Sequence, residues 1–64
     1  MDEAEVVDQV DGYWVVVSHG RRYFLRETQI ECRDKPHVGK KGLLGYVQRP
    51  ASKVLTFTDH PERD

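Results

Sequence analysis

The residues of this 64-residue chain that could do chemistry are few: one cysteine, three histidines and eleven acids, set against ten Lys and Arg. Cys32 and His37 come closest to a metal-ligand or nucleophile pattern. A structural zinc site needs four ligands, usually in close pairs, and the remaining histidines, His19 and His60, stand alone in the sequence. A thiol nucleophile needs a base beside it and a group to orient that base, so a lone buried cysteine is the simpler reading of Cys32. Glu27, Glu31 and Asp34 are the only acids between residues 12 and 53. Paired carboxylates shift their pKa values only in a concave, desolvated site, and a chain this short has little volume for one. Phosphate-cradling loops, dinucleotide fingerprints and nucleophile elbows are absent from the sequence. The expectation is a chain that is not an enzyme and carries no cofactor and no metal.

What remains is binding chemistry, and it lies in the distribution of charge. The net charge of −1 hides a segregation. Residues 1–11 hold five acids and no Lys or Arg. Residues 12–53 hold nine Lys or Arg against three acids, a local +6, and the last eleven residues carry −2. A basic body between acidic ends is the kind of surface that attracts polyanions, although short acidic termini also keep a neutral protein in solution. The most basic segment, 33–42, contains Lys35, His37, Lys40 and Lys41, with Arg21, Arg22, Arg49 and Lys53 elsewhere in the body.

These groups need a scaffold, and the sequence predicts a β one. Tyr13 to Leu25 is rich in β-branched and aromatic residues and is interrupted by His19-Gly20, which can supply the positive-φ pair of a two-residue hairpin turn. With that turn Trp14 faces Leu25, Val16 faces Tyr23 and Ser18 faces Arg21 on one side, the expected core face. The other side carries Tyr13, Val15, Val17, Arg22, Phe24 and Arg26. Aromatics between arginines on a sheet face can stack on bases while guanidinium groups meet phosphates; the same residues also suit a barrel wall whose arginines lie over apolar neighbours. Ile30 and Cys32 fall out of phase with Leu25, so a bulge or bend is expected at residues 27–29. Leu43–Gln48 and Lys53–Thr58 read as two further strands joined by a proline turn, with Gly45 marking a bulge or a close backbone approach. Val6, Val7 and Val10 suit a first strand ending at Asp11-Gly12, the preferred reading, or a short helical turn. The expected fold is therefore a single, mostly β domain: a small five-stranded, strongly bent sheet or barrel of SH3-like or OB-like type. Residues 1–9 serve as an acidic arm or first strand, 10–59 as the barrel, and 60–64 as a frayed end.

Two resemblances accompany this reading. Val10-Asp11-Gly12, Val15-Val16-Val17, His19-Gly20, Arg26 and Glu31 resemble the opening hairpin of thermonuclease-like OB folds over about residues 10–31. Tyr13 stands where that family's metal-binding aspartate belongs, and the chain is too short for the rest of that enzyme. The resemblance thus implies the hairpin without the nuclease. Over about residues 30–57, Gly42-x-x-Gly45-x-Val47, preceded by a basic loop and followed by Val54-Leu55-x-Phe57, resembles the KOW segment of ribosomal and transcription-elongation proteins. That resemblance implies an RNA-facing loop, with the lysines displaced here to 40 and 41.

Together these features predict a nucleic-acid-binding module in which Lys35, His37, Lys40, Lys41, Arg21, Arg22, Arg26, Arg49 and Lys53 meet phosphates while Tyr13 and Phe24 stack. The acidic segment 2–11 could fold back over that surface. The alternative is a protein-interaction or small inhibitor module that uses the same hairpin face or an edge strand. A homodimer that completes the small core is a further possibility, because a chain of this size buries only ~60% of its unfolded surface. A single cysteine and an acidic N-terminus favour a cytoplasmic setting without membrane contact.

Overall fold

Two tight turns set the first half of the fold. Asp11 (φ 46°) with Gly12 (φ 79°), and His19 (φ 53°) with Gly20 (φ 76°), all take the left-handed conformation that twist-matched two-residue hairpins require. They join β1 (Asp2–Val10), β2 (Tyr13–Ser18) and β3 (Arg21–Arg26) into an antiparallel meander. Its register pairs Trp14 with Leu25, Val16 with Tyr23 and Ser18 with Arg21, as the alternation of apolar residues predicts. The computed structural model describes residues 1–61. Residues 62–64 of the expected frayed end lie outside that range, while His60 is held with its Nε2 3.1 Å from Glu3 Oε1.

The bend expected after Leu25 is a 3₁₀ turn over Glu27–Gln29. Gln29 fixes it from both ends: its Oε1 accepts from the Arg26 amide at 3.0 Å, and its Nε2 donates to the Leu55 carbonyl at 3.0 Å. The chain then forms the two-residue β4 (Ile30–Glu31), crosses a loop, and returns as β5 (Lys41–Gln48) and β6 (Lys53–Thr58). Strand order is β3-β2-β1-β5-β6-β4, with β4 parallel to β6. This corrects the five-strand expectation. A sixth, very short strand exists, and β3 and β4 remain the edges of a sheet that curls without closing. The basic loop is also shorter than expected, since Lys41 and Gly42 already belong to β5.

The core lies in the hollow of the curl. Val6, Val16 and Phe57 are fully buried, with Leu25, Leu44, Ala4 and Trp14 nearly so, and Tyr23, Ile30, Cys32 and Leu55 pack at the margin. Each large apolar side chain buried in this way stabilises the fold by about 1.5–3 kcal/mol. Gly42 sits inside β5 because Phe57 needs the space: a Cβ there would lie 2.8 Å from Phe57 Cζ and press on the Thr58 carbonyl. Gly45, the anticipated close approach, lies under Met1, whose Cγ would be 2.7 Å from an added Cβ. The acidic first segment is a middle strand rather than a loose arm, paired with β2 on one side and β5 on the other. Among the described residues no helix is long and apolar enough to cross a membrane.

Candidate functional site

The outer face of β1–β3 gathers the aromatic and arginine residues that the sequence singles out. Tyr13, Val15 and Val17 of β2 stand opposite Arg26, Phe24 and Arg22 of β3. Tyr13 and Phe24 meet edge to face with ring centroids 6.4 Å apart. The Arg26 guanidinium carbon lies 4.9 Å from the Tyr13 ring centroid, and its Nη2 donates to the Tyr13 hydroxyl at 2.9 Å. Arg26 is thereby held over the Tyr13 ring, within cation–π distance. Phe24 is left 57% exposed while Val15 beneath it is buried.

β1 enlarges this face in a way the sequence reading missed. The β1–β2 register slips between Val6 and Asp8, so Val7 is an extra residue in the strand and a β-bulge forms there. Val6 stays in the core, while Val7 and Val10 emerge 37% and 39% exposed. With Asp8, Val15, Arg22 and Phe24 they line a hollow of about 220 Å³. The available signal is the Val6-Val7 doublet followed by Val10: a regular strand that buries Val6 buries Val10 too, so placing Val10 opposite Tyr13 on the outside takes one extra residue.

The basic loop is organised differently from expectation. Asp59, which the sequence assigns to the acidic end, is its hub. Asp59 Oδ2 accepts from the Arg33 amide at 2.7 Å, Arg33 Nε lies 3.6 Å from the same oxygen, and Lys40 Nζ lies 3.0 Å from Oδ1. The Arg33 amide, then the Lys40 ammonium, hold the Asp59 carboxyl down at about 2, and Asp59 in turn raises Lys40. Burial, then Asp59, pushes the Cys32 thiol up to about 11, which keeps it protonated, and its Sγ sits 3.9 Å from the Phe57 carbonyl. Gly39 N–H donates to the Val6 carbonyl and Val6 N–H to the Lys40 carbonyl, which ties the loop to β1 next to the bulge.

The predicted site residues therefore divide. Arg21, Arg22, Arg26, Tyr13 and Phe24 share one hairpin. Lys40 is engaged by Asp59, Arg49 is paired with Glu31 at the far end of the β5–β6 hairpin, and Lys53 begins β6 beside it. Lys41 stands opposite Glu5 in the ladder. Lys35 and His37 are exposed in the loop, the His37 ring nitrogen Nδ1 lying 3.1 Å from the Val38 carbonyl. The segregation seen along the chain is undone in space, because β1 lays its acids between the basic strands. A cleft of about 540 Å³ is lined by Glu3, Arg33, Asp34, Lys40, Lys41, Asp59 and His60. Asp59 with Lys40 and Arg33, and Glu3 with His60, are already paired there, so its size does not make it the better site. Among the described residues no cluster of three His, Cys, Asp or Glu could hold a metal ion. Comparison with protein-family models, curated proteins and solved structures finds no match, so the hairpin face is read on its own chemistry.

Proposed function

We propose that this chain is a non-enzymatic interaction module that docks a partner protein on the outer face of β1–β3. The observation that carries the reading is the apolar strip of Phe24, Val7 and Val10 over buried Val15, with Arg22 and Arg26 at its margin. Aromatic and arginine anchors around a desolvated apolar centre are the composition of protein interfaces. The test is photo-cross-linking in the native cell, with benzoyl-phenylalanine in place of Phe24 and, as control, in place of Lys53. The expected product is a discrete protein adduct from position 24 that survives nuclease. Equal labelling from both positions refutes the reading.

Nucleic-acid binding is the second reading, and one observation favours it. Arg22, which makes no ion pair among the described residues, and Arg26 flank the Tyr13–Phe24 aromatic pair on the outer face, where unpaired bases could stack. Against it stand Asp8 in the same hollow and the engagement of Lys40 and Arg49 with acids. On this reading, affinity for single-stranded oligonucleotides falls steeply between 50 and 200 mM salt, as about one counterion is released per neutralised phosphate. A nuclease-sensitive adduct at position 24 selects it over the first. We also propose an SH3-like or OB-like fold type; its support is the six short strands around one small core with a 3₁₀ turn between β3 and β4.

A further inference from the structure

β3 is the edge of the sheet, and its backbone shows which groups are open. The two-residue turn at His19-Gly20 makes Ser18 and Arg21 a hydrogen-bonded pair, so the bonded pairs recur at Val16/Tyr23 and Trp14/Leu25. Arg21, Tyr23 and Leu25 thus spend their backbone groups on β2. The N–H and C=O of Arg22 and Phe24, and the C=O of Arg26, point away from the sheet. The Arg26 amide, on that same open side, is taken by Gln29 Oε1, which confirms the phase. The side chains of these three residues also share the outer face, so backbone and side chains offer one docking line.

We propose that β3 accepts an extended, acidic segment of a partner protein as an added antiparallel strand. This names the partner chemistry of the interaction face and rests on that reading. The charge argument is direct: β3 carries Arg21, Arg22 and Arg26 and no acid. A strand added on its open side places residues i, i+2 and i+4 opposite Arg26, Phe24 and Arg22. The complementary pattern is acid-x-apolar-x-acid, with a β-branched or aromatic residue beside Phe24. A second copy of this chain is a poor occupant, because antiparallel pairing of β3 with itself centred on Phe24 sets Arg22 against Arg26 twice, and like charges directly opposite destabilise a ladder. Exposed charge on an edge is a recognised guard against such self-pairing; here the same arginines specify the sign of the partner.

The test uses the full chain, isotopically labelled, and three ten-residue peptides: one with a central Glu-x-Val-x-Glu, one with Lys at both acidic positions, and one with the two Glu moved by one residue. The expected result is saturable binding of the first peptide at least tenfold tighter than of the other two, with slowed exchange of the Arg22 and Phe24 amides and cross-strand contacts to them. Arg22→Glu with Arg26→Glu should invert the preference toward the Lys peptide. Equal binding of the three peptides, or binding without amide protection at Arg22 and Phe24, overturns the added strand but leaves the face reading standing. Tighter binding of a ten-nucleotide single strand than of the Glu peptide overturns both in favour of nucleic acid. Absence of any peptide binding, with a protein adduct still forming at position 24, overturns this inference alone.

Discussion

Replacing Asp59 with Asn probes the hub that organises the loop and the C-terminal end of β6. The carboxylate accepts from the Arg33 amide at 2.7 Å and faces Lys40 Nζ at 3.0 Å. Its pKa falls from 3.8 to about 2 on folding. At 1.36 kcal/mol per unit the shift corresponds to ~2.4 kcal/mol as a ceiling. Its side chain is 21% exposed, and solvent screening brings the expectation to about 1–2 kcal/mol. Because the folded pKa is the lower one, this stability is present above pH 3.8 and is lost as pH falls through about 2. Urea unfolding of wild type and Asp59→Asn across pH 2–7 should show the wild type more stable by that amount at pH 6, with the gap closing between pH 4 and 2. A gap that stays constant with pH refutes the charge argument, since it would assign the loss to hydrogen-bond geometry that the amide cannot reproduce. No gap at pH 6 refutes the hub itself. The alkaline side offers a second check: Lys40 is raised above 10.5 by the same contact, so its contribution is lost as pH climbs through the folded value.

Phe57→Ala removes the largest fully buried side chain and should cost about 3–5 kcal/mol, enough to leave the domain largely unfolded by thermal melting. Gly42→Ala should destabilise by about 1–3 kcal/mol, because its Cβ meets the Thr58 carbonyl and the Phe57 ring; Gly45→Ala should cost less, because the flexible Met1 side chain can move aside, and melting temperatures rank the two. Deleting residues 1–9 removes the strand between β2 and β5, so the truncated chain should lose its dispersed amide NMR spectrum rather than gain affinity for a polyanion. Phe24→Ala should change stability by less than about 1 kcal/mol, given its exposure, while abolishing the partner adduct detected from a photo-reactive group placed at Arg22.

The hairpin was legible because local rules agree there. Positive-φ turn residues, β-branched runs and period-two alternation all point to the pairing of Trp14 with Leu25, and the structure has that register. The bend at 27–29 was legible from a phase break, though its 3₁₀ form and the reach of Gln29 to Leu55 depend on a contact 26 residues away. Two features were not legible for the same reason: the parallel pair of β4 with β6 and the hub at Asp59 are each decided by a partner distant in sequence. Charge shows the limit most clearly: summed along the chain, acids and bases separate into blocks, but antiparallel pairing interleaves blocks by design of the topology, and β1 enters the middle of the sheet.

That interleaving weighs on the choice between the two proposed partners more than any single residue does. A long polyanion needs a continuous positive track, because its affinity is the sum of many phosphate contacts. Here the track is broken: Lys40 and Arg33 turn onto Asp59, Arg49 onto Glu31, and Lys41 stands opposite Glu5. The cations left over are concentrated on β3, a six-residue edge, with two acids of β1, Glu5 and Asp8, on the far side of β2. A patch of that length matches a short partner segment whose charges are spaced along a strand, and the acids of β1 set a penalty for any ligand that extends across the face. The expected consequence is selectivity in length: a five-residue acid-x-apolar-x-acid core should retain most of the affinity of a ten-residue peptide, and adding acids beyond that core should lower it. Calorimetric titration of a length series reads this directly, and an affinity that rises steadily with each added acid would return the polyanion to first place.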